Sequence, residues 1–420
     1  MRETALDEIF AEFEANTLTS FRPPGVPAAE RQVRDRRRRR RRLVAGVGAL
    51  LLAGPAGAFV AAGRGADPGP PAPTPVPSVS PTPTGQLPER RVVLPGAPGE
   101  LTELRFVDAR HGWALFDTCD PGGPGDPDAT GCRRTVGRTT DGGATWQPTA
   151  RLADTKGLAR LLPVDDRTLT VAVGDGYLVT TDGGAAWSRH SFGAPPPATQ
   201  ASTATRSGFV VRCPGRRGLE GRPCPRRELS RIGSGHVRPQ PPVPLGQESD
   251  HRLVEGGDGR LWLAVRDGDR LTVLVSADGA ASWRKLPAVA GAGRLLVSPD
   301  GADAWLVSVR EDGFDVTATK QVWRLVGSRW EQRPGLPDNV SDVAAANGGI
   351  LTVTGAYGSV GFWADGRYVD VPELRAALRY DTDATLSVEV LRDDTVVVST
   401  GSAQITGVGP GITRTWTRIT

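Results

Sequence analysis

The sequence predicts an all-β fold built from a series of similar antiparallel units, and three observations indicate it. A short pattern of a hydroxyl residue, Asp, Gly and Trp occurs twice in the 420-residue chain, and a third copy has Ala in place of the Gly. From about residue 90 onward, short strand-like runs alternate with Gly, Pro and Asp turns, without sustained helical periodicity. All ten tryptophans lie in this part of the chain, where large apolar side chains can fill a core.

The repeated pattern is typical of a tight turn that closes a β-hairpin. Its members are Thr139, Asp141, Gly143 and Trp146 in the first copy, Thr180, Asp182, Gly184 and Trp187 in the second, and Ser276, Asp278 and Trp283 in the third. Asp and hydroxyl oxygens accept hydrogen bonds from nearby backbone N–H groups, and Gly supplies a positive φ. Each Trp is expected to form an apolar plug whose ring N–H finds a partner. Because Ala280 replaces Gly in the third copy, we expect a distorted turn or a diverged unit there.

This pattern resembles the Asp-box, the bacterial neuraminidase repeat of β-propellers. The resemblance implies a β-propeller over residues 89–420, in which each Asp-box is a structural turn away from the ligand-binding face. The stretch from Phe106 to Trp113 is also similar to blade openings in propellers of the photosystem II assembly-factor type. We count seven blades, and six or eight stay open because the unit around 205–245 is weak. A strand at Arg91–Leu94 is expected to close the ring, and the one helical signal is Pro372–Leu378.

Three segments precede the predicted propeller. Residues 1–42 hold 11 arginines against 7 acidic residues, which accounts for the whole net charge of +4 and includes a run of seven arginines. Residues 43–63 hold no charge and match the length of one membrane-spanning helix. The arginines in front of it predict a cytoplasmic N-terminus and an extracytoplasmic propeller, in the cell membrane. Residues 64–88 contain nine prolines and predict a disordered, extended stalk. A signal peptide cleaved near Ala58 is the alternative.

The cytoplasmic tail also contains a short apolar pattern. Leu6, Ile9, Phe10 and Phe13 recur at helical spacing, which predicts an amphipathic helix. This helix either lies on the membrane or docks a cytoplasmic partner. Beyond residue 63 the basic and acidic residues balance, so no nucleic-acid partner is expected.

Four cysteines occur in two local pairs. Cys119 and Cys132 flank a loop rich in Gly, Pro and Asp, and Cys213 and Cys224 flank a loop rich in Arg, Gly and Pro. Neither pair has the spacing of a zinc site, and an even number beyond a membrane anchor predicts the disulfides Cys119–Cys132 and Cys213–Cys224. No metal, cofactor, nucleotide loop or nucleophile elbow is expected.

Asp-boxes are best known from sialidases, which makes a glycosidase the competing class of function. The first arginine of that family stands in a Phe/Tyr-Arg-Ile-Pro motif, which this chain lacks. Its four tyrosines, Tyr177, Tyr357, Tyr368 and Tyr380, have no recognisable nucleophile context. The sequence therefore predicts a non-catalytic, membrane-anchored module that binds an extracytoplasmic protein or glycan. The alternatives are a transmembrane sensor whose tail docks a regulator, and a sialidase-like glycoside hydrolase.

Overall fold

The computed structural model describes residues 87–420, except for residues 98, 175 and 193 and the segments 119–131, 156–158, 202–203, 214–225, 233–234, 246–249, 309–320, 338–339, 356–357, 379–385 and 401–402. The predicted tail, its amphipathic helix, the membrane span and nearly all of the stalk therefore lie outside the described residues. Within the described part, no helix combines the length and the apolar character needed to cross a membrane.

The first half of the described chain forms one edge strand, three antiparallel sheets and a short helix. They are β1 (Glu89–Arg90); sheet 1 with β2 (Glu100–Phe106), β3 (Gly112–Thr118), β4 (Cys132–Thr139) and β5 (Gln147–Thr155); sheet 2 with β6 (Arg160–Pro163), β7 (Leu169–Val173), β8 (Gly176–Thr180) and β9 (Ser188–Ser191); α1 (Pro197–Ala201); and sheet 3 with β10 (Phe209–Arg212), β11 (Glu228–Arg231) and β12 (Gly235–His236). The weak unit of the sequence is thus a sheet of three short strands.

The second half forms four further sheets and a second short helix. They are sheet 4 with β13 (His251–Glu255), β14 (Leu261–Asp267), β15 (Arg270–Ser276), β16 (Arg284–Lys285) and β17 (Val289–Ala290); sheet 5 with β18 (Arg294–Val297), β19 (Ala304–Val307), β20 (Val322–Val326) and β21 (Arg329–Arg333); sheet 6 with β22 (Val340–Ala346), β23 (Ile350–Gly355), β24 (Val360–Ala364) and β25 (Arg367–Asp370); α2 (Pro372–Leu378); and sheet 7 with β26 (Ser387–Val390), β27 (Val396–Ser399), β28 (Gln404–Val408) and β29 (Thr415–Ile419). Helix α2 has the predicted bounds, and it buries Leu374 and Leu378.

Strands in the middle of each sheet are buried on both faces because a sheet packs on either side of them. In β14, Leu261 packs with Phe209 of sheet 3. The next residue, Trp262, points the other way and packs with Leu295 of sheet 5. Successive side chains of a strand alternate between its faces, so a strand held between two sheets has an uninterrupted apolar sequence. This explains the run from Leu261 to Val265, all of which is buried.

The series of sheets closes into a ring, which is the arrangement of a β-propeller. Apolar clusters join sheet 1 to sheet 2 and each of sheets 3 to 6 to the sheet that follows it. Helix α1, between sheets 2 and 3, contacts β7. Phe106 of sheet 1 packs with Val397 of sheet 7, which returns the series to its start. First strands contact each other at the pairs β2–β6, β13–β18, β18–β22 and β22–β26, so they surround the centre of the ring.

The N-terminal strand completes this closure. β1 pairs in parallel with β29, with Glu89 opposite Arg418, and becomes the fifth and outermost strand of sheet 7. The predicted strand at Arg91–Leu94 was therefore placed two residues too late. Val92 and Leu94 are instead buried in the cluster between sheets 7 and 1, although the Val92 amide still donates to Thr420 O at 2.7 Å. The apolar character of Val92 and Leu94 therefore reflects their burial between the two sheets and does not indicate a paired strand.

Arginine–tryptophan stacks fill one end of the ring. Trp262 is the second residue of the second strand of sheet 4, and Arg260 lies 5.4 Å from its ring centroid. Arg260 also donates to Gly301 O of sheet 5 at 2.7 Å. Arg138 and Arg324, from the third strands of sheets 1 and 5, stack on Trp113 and Trp305. These three guanidinium groups at this end of the ring are therefore engaged in structural contacts.

Candidate binding face

The three Asp-box turns join the third and fourth strands of sheets 1, 2 and 4. In the second turn, the Thr180 hydroxyl accepts from Gly184 N at 2.9 Å and donates to Asp182 Oδ1 at 2.8 Å. The same carboxylate oxygen accepts from Ala186 N at 3.0 Å. The first and third turns repeat all three contacts at 2.8 to 2.9 Å. Each Asp is thus engaged by donors of its own turn.

These hydrogen bonds also set the acidity of the Asp-box carboxylates. Hydrogen bonds from the Ser282 side chain and amide, and from Ser276, lower the pKa of Asp278 to about 2. At Asp141, slight burial raises the pKa, but hydrogen bonds from Thr145 and Thr139 outweigh it and lower the pKa to about 2. Donors that bind the ionised form favour it. The carboxylates are therefore charged at neutral pH and satisfied locally.

The third turn is not distorted by the absence of glycine. Ala280 adopts the left-handed φ of 71° itself, and its amide donates to Ser276 Oγ at 2.9 Å. Its methyl group is fully buried in the cluster with Phe209 and Leu229 of sheet 3. The backbone strain of an alanine at positive φ is offset here by apolar burial. The expectation of a distorted turn is wrong for this reason.

The tryptophans that end the three turns differ in their polar contacts. Trp187 Nε1 donates to Gly184 O at 3.2 Å, as expected. The indole nitrogens of Trp146 and Trp283 are buried without a hydrogen-bond partner in the described part of the chain. Trp146 packs instead edge-on to Phe106, with 6.2 Å between ring centroids. The expected ring N–H partner is thus present in one of the three turns.

The alternation of strand direction gives the ring two different ends. Turns between the first and second strands of a sheet lie at the same end as turns between its third and fourth strands. We call this the Asp-box end. The opposite end, here the loop face, carries the connections between second and third strands and between successive sheets.

Two carboxylates near the ring centre connect neighbouring sheets. Glu103 Oε2 of sheet 1 accepts from Leu161 N of sheet 2 at 2.7 Å. Asp342 Oδ2 of sheet 6 accepts from Val388 N of sheet 7 at 3.0 Å. Each of the two follows a register shift in the first strand of its sheet, which turns the carboxylate toward the next sheet. Their role is structural, since both bind backbone amides.

A cavity of about 440 Å³ opens on the loop face between sheets 4 and 5. Its walls come from the first strands of the two sheets, the residues just before them, and strands β14 and β15. They consist of Asp250, His251, Arg252, Ala264, Arg266, Leu271, Gly293, Arg294 and Leu295. The lining thus combines three aliphatic residues with three arginines. This combination can bind a ligand that carries both an apolar part and a negative charge.

The three arginines of the cavity are unequally satisfied. Arg294 Nη1 donates to Asp342 Oδ1 at 2.8 Å. Arg266 Nη2 donates to Gly293 O, while Arg266 Nε and Arg294 Nε are buried without a partner in the described residues. Arg252 forms neither a hydrogen bond nor an ion pair with the described residues. Arg252 is exposed, so its guanidinium is open to solvent.

The sequence analysis did not identify these arginines, because it was based on turn motifs and did not assign the residues of each strand to its two faces. A signal was nevertheless present in β14. Trp262 and Ala264 point to one face, and Arg266 continues the same alternation where an apolar residue is expected. Which face meets sheet 5, and that Arg252 lies beside it, depends on the strand pairing.

The tyrosines considered for catalysis lie away from this cavity where they are described. Tyr177 is buried and packs edge-on to Phe192, with ring centroids 5.0 Å apart. The Tyr368 hydroxyl donates to Asp370 Oδ1 at 3.3 Å on the outer strand β25, and its pKa is raised to about 12 by burial and by Asp370. Tyr357 and Tyr380 lie outside the described residues. No cluster of metal-ligating side chains occurs among the residues that the structure describes.

The cysteine pairs are only half described. Cys132 begins β4 and is buried, and Cys213 directly follows β10. Neither is a free cysteine in the structure. Cys119 and Cys224 lie outside the described residues, so both disulfide pairings stay predictions.

Comparisons with known proteins return structures with the same general architecture. No family model and no curated protein matches the chain. A structure of YCF48 bound to a D1 peptide is similar at 17% identity and a TM-score of 0.31, over 80% of this chain and 87% of that chain. YCF48 from Cyanidioschyzon merolae is similar at 15% and 0.40, over 75% and 96%. The β-propeller domain of the Trilobed protease from Pyrococcus furiosus is similar at 11% and 0.41, over 74% and 95%. These values are too low to transfer a ligand or an activity to this chain.

Proposed function

We propose that this chain is a membrane-anchored, extracytoplasmic, seven-bladed β-propeller that binds a protein partner without catalysis. Residues 43–63 are its single span, residues 1–42 its cytoplasmic tail and residues 64–88 its stalk. The observation that supports the binding role is a difference between the two ends of the ring. Asp-box turns and Arg–Trp stacks occupy one end, whereas the loop face presents a basic cavity with unsatisfied donors.

The seven blades are supported by the seven sheets, one for each blade. Each sheet contributes its first strand toward the ring centre and its last strand toward the outside. The pairing of β1 with β29 ties the point where the stalk enters to the last blade.

The topology is tested with protease on intact cells that express the full-length chain. The arginine run before residue 43 predicts that the propeller is degraded while a remnant of about residues 1–63 stays in the membrane. Protection of the propeller, or a soluble form that begins shortly after Ala58, would overturn the anchored reading. Crosslinking through the loop face in the native host, followed by mass spectrometry, then tests the protein partner. Recovery of glycan alone would contradict a protein-binding role.

A sialidase-like activity is the competing function, and the described tyrosines speak against it. Such a reaction needs a tyrosine nucleophile beside a glutamate, together with arginines that hold the substrate carboxylate. Tyr177 packs against the ring of Phe192, and the Tyr368 hydroxyl donates to Asp370 on an outer strand, so neither is placed as such a nucleophile. Full-length protein should not hydrolyse a fluorogenic sialoside between pH 4 and 8. Turnover that disappears on changing any one of the four tyrosines to Phe would make the chain an enzyme.

A further inference from the structure

We infer that the cavity between sheets 4 and 5 binds carboxylate side chains of an acidic segment in a partner protein, with Arg252 and Arg266 as the residues that receive them. This inference rests on the proposed binding function and names the chemistry of the ligand.

By strand register, the two arginines lie on the strand face that elsewhere packs into the core. Arg252 pairs with Ala264 across β13 and β14, and Arg266 pairs with Leu271 across β14 and β15. Directly paired residues share one face of a sheet, and here it is the face that Trp262 presents to sheet 5. The interface between the two sheets is therefore apolar up to Ala264 and Leu271, and then becomes cationic. Arg252 is exposed and Arg266 is half-buried, so both guanidinium groups are open to a ligand at this edge of the interface.

Among the described residues, the counter-charge is incomplete. Three guanidinium groups meet two carboxylates, Asp250 on the wall and Asp342, which already pairs with Arg294. Arg252 keeps all of its donors, and the Nε atoms of Arg266 and Arg294 are buried without an acceptor. A carboxylate accepts two parallel N–H bonds from one guanidinium, which satisfies both the charge and the donors.

The walls favour a peptide over a sugar as the source of the carboxylate. Ala264, Leu271 and Leu295 provide an aliphatic surface for side-chain methylenes. No Trp, Tyr or Phe is among the residues that line the cavity, and the flat face of such a ring is the usual platform for a pyranose. An extended acidic segment can place one carboxylate on Arg252 and a second on Arg266 while its aliphatic stems contact this wall.

The test measures binding of a fluorescein-labelled hexaglutamate peptide to the full-length chain in detergent, with labelled hexaglutamine as the uncharged control. Hexaglutamate should bind, weaken with added salt, and exceed hexaglutamine by on the order of tenfold. Arg252→Gln and Arg266→Gln should each weaken hexaglutamate binding by on the order of tenfold, and Arg252→Lys by less, since an ammonium lacks the planar fork. Arg284→Gln is the matched control, because Arg284 is exposed in the same sheet at the Asp-box end.

Thermal melts of every variant separate a binding loss from a folding loss. Arg252 makes no described contact, so Arg252→Gln should melt at or above the temperature of the parent protein. Equal binding of the two peptides, or full binding by folded Arg252→Gln, would overturn the inference. Tighter binding of oligogalacturonate than of hexaglutamate would assign the cavity to a uronate glycan instead. The proposed function is tested separately by the crosslinking experiment. It is wrong if no protein crosslinks to the loop face. If a protein crosslinks equally well to the parent and to Arg252→Gln, the proposed function holds and only the role of the cavity is wrong.

Discussion

Two buried threonines of sheet 2 allow the structural role of the Asp-box to be measured directly. Thr180 and Thr170 are both almost fully buried, and they lie on neighbouring strands. The Thr180 hydroxyl accepts from Gly184 N and donates to Asp182, whereas the Thr170 hydroxyl has no hydrogen-bond partner in the described residues. Replacement of Thr by Val keeps the shape of the side chain and removes only the hydroxyl. The pair therefore isolates the hydrogen bonds of the turn.

The expected effects of the two substitutions have opposite signs. Thr180→Val leaves the buried Gly184 amide without an acceptor, which costs about 1–3 kcal/mol of unfolding free energy. Thr170→Val replaces a buried, unpaired hydroxyl with a methyl group, so stability should be unchanged or higher. Urea denaturation of the full-length protein, followed by tryptophan fluorescence, measures both. If Thr180→Val unfolds at the same urea concentration as the parent, the hydroxyl does not hold the turn and the structural assignment of the Asp-box is wrong.

Three further predictions concern the same turns and the cysteine loops. Gly184→Ala should destabilise the protein far more than Ala280→Gly, because a methyl group at Gly184 would lie 2.4 Å from Thr149 Cβ; equal melting of the two variants would contradict this. The free energy of unfolding should fall as the pH drops from about 3.8 to about 2. Folding lowers the pKa values of Asp141 and Asp278 from the ordinary 3.8 to about 2, and protonation of these carboxylates in the folded protein removes the stabilisation that their charged forms provide. Asp278→Asn should weaken this dependence of stability on pH. An unchanged dependence would show that the Asp-box carboxylates do not cause it. Non-reducing peptide mapping should recover both predicted disulfides, and four alkylatable thiols in envelope-derived protein would refute them.

Local patterns in the sequence were sufficient for the turns and the repeating sheets. The hydroxyl at the first position and the Asp two residues later close a turn with donors that lie within six residues of each other, so no distant part of the chain is needed. Helix α2 was likewise predictable, because Pro372 starts it and its two leucines are four residues apart. Alanine at position 280 misled the prediction, since only the packing of sheet 3 against sheet 4 supplies the burial that offsets its positive φ.

The closing strand and the cavity depended on the tertiary structure. The sequence determined an edge strand near residue 90, but the partner β29 selects Glu89–Arg90, and burial between sheets 7 and 1 takes Val92 and Leu94 out of the pairing. Arg252 and Arg266 look like ordinary strand arginines in the sequence, because charge alone does not say which face of a strand carries it. Pairing brings them to one face, and ring closure sets sheet 5 against that face. Function here comes from contacts between residues of different sheets, which no local pattern encodes.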